Sequence, residues 1–119
     1  NHTGSKFTGN LECMSVVLEV LKERDLFFVD SRTNAVSKAL EAARSVGVAA
    51  AERDVFLDNS GDPDLIREQL EILVKRAKAH GQAIGIGHFR KNTVAVLAEE
   101  LPRLRKEGIV LTHVSEFVQ

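Results

Sequence analysis

Four times along the 119 residues, apolar positions at helical spacing give way to a short apolar run, and that run ends in polar side chains. This alternation limits the fold more than any other feature. Helices alternating with short strands imply crossover connections and a parallel sheet, hence an α/β fold. The spacing predicts a first helix from Thr8 or Asn10 to about Arg24, its inner face carrying Leu11, Met14, Val17, Leu18 and Leu21. A strand Leu26–Val29 follows. A second helix, capped by Thr33 or Asn34, carries Val36, Ala39, Leu40 and Ala43 inward and stops at Gly47. Val48–Ala51 reads as a strand, and the acidic segment from Glu52 to Asp62 as a loop. Asp62 before Pro63 is a strong helix start. That helix, with Leu65, Leu70, Leu73, Val74 and Ala77 inward, runs to His80 and stops at Gly81. Ala83–Gly87 is the third strand, with glycines where a neighbour comes close. The last long helix starts at Asn92 or Thr93, with Val94, Leu97, Leu101 and Leu104 inward. Pro102 predicts a kink or break near Glu99. Gly108 stops it before a fourth strand, Ile109–Leu111.

In parallel α/β sheets, ligands lie at the C-terminal ends of the strands. Here those ends carry the chemistry. The first delivers Asp30, Ser31, Arg32 and Thr33, the second Arg53, Asp54 and Asp58, the third His88, the fourth His113 and Glu116. The opposite ends carry Lys, Arg, Gly and His80, which suits the last carbonyls of a helix. Ser31 has no histidine beside it in sequence and reads as a hydrogen-bond donor, not a nucleophile.

Composition removes several function classes. A net charge of -1 offers no basic field for nucleic acid. With no Trp or Tyr, a stacking platform has to come from the six Phe. No apolar run approaches the ~20 residues that span a bilayer. Cys13 stands alone, so no internal disulfide forms. The length fits one domain. Four strands cannot close a barrel, which takes about eight, so the chain reads as the C-terminal part of a larger domain. Its first strand would then be an open sheet edge, able to support a homo-oligomer.

Five segments in order, NHTGS at the start, LFFVDSRT, RDVFLDN, AIGIGH and the closing VSEF, resemble the divergent polysaccharide deacetylase family, a distant branch of the family 4 carbohydrate esterases. The resemblance implies part of a distorted (β/α) barrel. It implies metal-assisted removal of N-acetyl groups from an amino-sugar polysaccharide, in the periplasm or cell envelope of a bacterium. It assigns His2 to a divalent metal, zinc before others, and places Lys6 where a second histidine ligand stands in the wider family. The acidic pair on the family's first strand would lie upstream of Asn1. Arg32 corresponds to the arginine beside the metal, Asp54 and Asp58 to the acidic motif that orients it, and Ile86-Gly87-His88 to the motif of the general acid. Asp30 would hold that histidine in its tautomer, while Asn1, Ser31, Asp58 and Asn59 would contact substrate. The bound partner would be a glycan, with no nucleic acid. The Lys6 departure leaves one alternative, a degenerate member that binds glycan or a cell-wall partner without turnover.

Overall fold

The computed structural model describes residues 4–118. It divides into two compact units, Asn1–Arg53 with Val114–Gln119, and Asp54–His113. Each is a small α/β assembly around its own core, and both strand pairs are parallel, as the alternation requires.

The first unit contains α1 (Ser5–Thr8), α2 (Leu11–Glu23), β1 (Phe28–Asp30), α3 (Ala39–Val46) and β2 (Ala50–Glu52), with a 3-10 turn at Val114–Glu116. Asn10 caps α2 by accepting the Cys13 N–H. Met14 and Leu18 on α2 pack against Ala39, Ala42 and Ala43 on α3 and against Val48. Three alanines in one stripe let the two helices approach closely. β1 pairs with β2 in the register Phe28↔Ala50, Val29↔Ala51, Asp30↔Glu52. Gly47 ends α3 in the left-handed conformation that glycine adopts without steric cost.

The second unit contains β3 (Val55–Phe56), α4 (Pro63–His80), β4 (Gly85–Ile86) and α5 (Lys91–Lys106). Its core joins Val55, Leu57, Leu70, Val74 and Leu104, with Leu73, Leu97, Leu101 and Ile109 against them. Leu73 lies directly over Gly85, where a Cβ would come within 2.5 Å of its Cδ2. Asp62 caps α4 through the Asp64 N–H, ahead of Pro63. Asp62→Ala is expected to cost about 1 kcal/mol, the usual worth of an N-cap, read as a lower urea midpoint.

Several expected boundaries move. α3 begins at Ala39, not near Asn34, because the polar segment before it is engaged elsewhere. Asn34 receives the Val36 N–H and donates to the Ser5 carbonyl, and the Lys38 N–H reaches the Thr8 carbonyl. Val36 therefore points outward, 68% exposed. The two residues of β3 lie inside the segment read as a loop, and Ser5–Thr8 forms a helical turn ahead of the expected first helix; each element is too short to show a periodicity. β1 lies two residues later at its start than Leu26, and β4 covers only the middle of Ala83–Gly87. Among the described residues no strand forms at Ile109–Leu111. Ile109 closes the end of α5 on the Leu104 carbonyl, and Val110 is exposed. α5 runs through Pro102 without a break at Glu99. Leu97, Leu101 and Leu104 flank the proline and hold both halves on one core, which offsets the lost backbone bond. The inward faces also turn slightly: Ile66 and Val96 are buried where Leu65 and Val94 were expected.

Candidate functional site

The register of the second unit dictates its polar centre. Phe56 pairs with Ile86, and the Leu57 N–H donates to the Ile86 carbonyl. Two residues beyond each strand, Asp58 and His88 are therefore brought opposite one another. Asp58 is fully buried. Its Oδ2 accepts the His88 backbone N–H at 2.8 Å and the Thr93 hydroxyl at 2.7 Å. Its Oδ1 lies 2.9 Å from His88 Nδ1. The Arg90 guanidinium donates to the Asp58 carbonyl at 3.1 Å. Phe56 stands behind the imidazole, ring centres 5.5 Å apart and tilted by 54°.

Burial by itself would push the Asp58 carboxyl up. The Thr93 hydroxyl, the His88 N–H and the His88 imidazole outweigh it and hold the group below the usual carboxylate range. Asp58 is thus an ionised acceptor, and Nδ1 must be the donor of the pair. The lone pair of a neutral ring, or the second proton of a charged one, then belongs to Nε2. The His88 side chain is 35% exposed, so the ring is held by Asp58 and still meets solvent over part of its surface.

The first unit holds a second cluster at the end of β1. Asp30 is buried; its Oδ1 accepts the Arg32 N–H at 2.9 Å and its Oδ2 the Ser37 hydroxyl at 2.6 Å. Arg32 has φ +49°, the left-handed region that costs an L-residue roughly 1–2 kcal/mol. Arg53 secures that turn. Its N–H donates to the Asp30 carbonyl, its Nε to the Ser31 carbonyl and its second guanidinium nitrogen to the Arg32 carbonyl. The Arg32 guanidinium itself reaches Glu52 at 2.9 Å.

The sequence candidates thus fall into two groups. Asp30, Ser31 and Arg32 share the first cluster, whereas Asp58 and His88 form the second. The carboxylate on His88 is Asp58 and not Asp30, whose two oxygens serve Arg32 and Ser37. Asp54 accepts the Ile84 N–H at 2.8 Å and faces Arg76 at 3.8 Å, joining the start of β3 to the segment before β4. Asn59 is exposed. Asn1 and His2 lie outside the described residues. Sequence reasoning missed Thr93, Arg90 and Ser37, and placed Arg53 at the end of the second strand without giving it a role. Thr93 had the sharpest signal, a hydroxyl soon after the histidine, but it was read as a helix cap.

Among the described residues, no group of three or more His, Cys, Asp or Glu is placed to hold a metal. The oxygens of Asp30 and Asp58 are committed to N–H and O–H donors, and His88 Nδ1 is committed to Asp58. These residues do not by themselves fit a metal.

A family model for divergent polysaccharide deacetylases matches residues 1–118. The chain belongs to that family. It is 39% identical over 107 residues to an uncharacterized protein of Haemophilus influenzae, covering 90% of this chain and 38% of that protein. It is 40% identical over 99 residues to the uncharacterized protein YibQ of Escherichia coli, covering 83% of this chain and 31% of that one. The crystal structure of the uncharacterized protein ATU2773 from Agrobacterium tumefaciens C58 superposes with a TM-score of 0.96 at 25% identity, over 99% of this chain and 48% of that one. The deacetylase-like α/β fold follows from the family match and from this superposition. The chain spans 31–38% of its two curated relatives. No helix among the described residues is long and apolar enough to cross a membrane.

Proposed function

We propose that this chain carries part of the catalytic apparatus of a hydrolase that removes N-acetyl groups from an amino-sugar polysaccharide of the bacterial cell envelope. The observation behind this reading is the His88–Asp58 contact at the ends of two paired strands. Cleavage of an acetamide expels a poor leaving group, an amine, which must be protonated as the C–N bond breaks. His88 protonated at Nε2 gives that proton to the sugar nitrogen while Asp58 holds Nδ1 and stabilises the imidazolium. Water supplies the hydroxyl that leaves in acetate, and the proton it gives up passes to a carboxylate base outside the described residues and from there restores the imidazolium. Arg32, held in its left-handed turn by Asp30 and Arg53, is proposed as an anion-recognising group of the same protein. If a divalent metal such as zinc takes part, ligands beyond the described residues must complete its site, His2 being one candidate.

Lys6, standing where the wider family has a second histidine, favours one other reading, glycan binding without turnover. The full-length protein, given a soluble oligomer of β-linked N-acetylglucosamine with and without added zinc, is expected to release acetate. An oligomer that binds but yields no acetate under either condition would replace the first reading by the second.

A further inference from the structure

Phe89 is the most exposed large hydrophobic residue described, at 97%. It follows His88 directly, and its place is fixed from both sides. The Arg90 N–H donates to the His88 carbonyl at 2.8 Å, which makes Phe89 the centre of a three-residue turn. Both ends of that turn are tied to Asp58. His88 is held by its N–H and its imidazole, and Arg90 by its guanidinium on the Asp58 carbonyl. The turn under Phe89 is therefore anchored to Asp58, through its carboxylate at one end and its main-chain carbonyl at the other, while the ring stands in water. Nothing in the turn calls for an aromatic side chain there. Phe7 and Phe27, the other exposed phenylalanines, are each less than half exposed, and Phe56 backs the imidazole.

We infer that Phe89 is the substrate platform of the site: its ring stacks on the apolar face of a pyranose in the polymer, next to the residue whose acetamide meets His88. This rests on the deacetylase reading above and adds to it the substrate contact that fixes register along a chain of sugars. A sugar ring presents axial C–H groups on one face, which suit an aromatic plane, and its hydroxyls point sideways into water. An anchored aromatic gives this contact at low entropic cost, because the turn is already ordered and the ring has only two torsions to lose. It also accounts for a chain that lacks Trp and Tyr yet would handle carbohydrate.

The test uses the full-length protein and a pentamer of β-linked N-acetylglucosamine, with Kd from calorimetry and acetate release as a function of pentamer concentration. Phe89→Ala is expected to raise Kd and KM about tenfold, the worth of an aromatic stack, with kcat within about twofold. Phe89→Trp is expected to restore or tighten binding. Because the ring is exposed, Phe89→Ala should melt within a degree or so of the wild type. Unchanged Kd and KM in Phe89→Ala, with wild-type binding intact, would overturn the platform and leave the hydrolase reading standing. A lowered melting temperature would overturn it too, since the ring would then be packing within the protein. A wild-type protein that neither binds nor deacetylates the pentamer would remove both readings.

Discussion

Asp58→Ala is expected to lower the stability of the Asp54–His113 unit by about 3 kcal/mol, the range for buried polar groups stripped of their partner. Three donors converge on this one buried carboxylate. Thr93 is itself only 3% exposed, so its hydroxyl would lose water and acceptor together. The His88 N–H would be stranded at the end of β4. The 0% exposure of Asp58 leaves no route for solvent to fill the gap without opening the strand ends. Urea unfolding of the full-length protein, followed by a probe in this unit, measures the effect, and a loss below about 1 kcal/mol would show the carboxylate to be a bystander. The pH dependence carries a definite sign. The folded-state value is depressed, so the stabilisation is complete above the ordinary carboxylate value of 3.8 and is lost as pH falls through the lower folded value. Asp58→Asn keeps the shape and removes the titration. The stability gap between wild type and Asp58→Asn should therefore be widest near neutrality and shrink below about pH 4. A gap of equal size at pH 7 and pH 3 would mean that packing, and not charge, is what Asp58 contributes.

Local signals and long-range ones were not equally legible. Asn10, Asp62-Pro63, Gly47 and Gly81 act on their own neighbours, and the caps and stops they announce are where the sequence puts them. The strand ends were also readable as polar clusters, because Asp30 and His88 each follow an apolar run directly. Which acid meets which base was not readable. Asp58 and His88 are 30 residues apart, and they meet only because Phe56 pairs with Ile86. That pairing depends on β3, two residues long and hidden in an acidic stretch that looks like a turn. Asp54 and Asp58 flank the same VFL segment and were indistinguishable by type; one ended on the Ile84 N–H and the other on the imidazole. Pro102 failed as a helix breaker for a related reason. Its local cost was set against a core contributed by α4 and β3, which no local rule contains.

His88→Ala should cut acetate release by roughly 10²–10⁴-fold, the usual span for a positioned general acid, while costing less stability than the loss of Asp58. The asymmetry follows from which atoms are shared. Removing the ring takes the partner from Oδ1 alone; Oδ2 keeps the His88 N–H and the Thr93 hydroxyl, since one is backbone and the other lies on α5. The ring is already partly in water, so truncation opens a surface notch and not a cavity. The expected signature is a collapse in kcat with Kd for the pentamer nearly unchanged, the reverse of what Phe89→Ala should give. His88→Gln sharpens the comparison, because it can keep a hydrogen bond to Oδ1 yet cannot hold a transferable proton. It should fold like the wild type and remain as inactive as His88→Ala. A His88→Gln protein that released acetate within tenfold of the wild-type rate would move the proton donor elsewhere, and Asp58 would then have to be understood as holding a loop and nothing more.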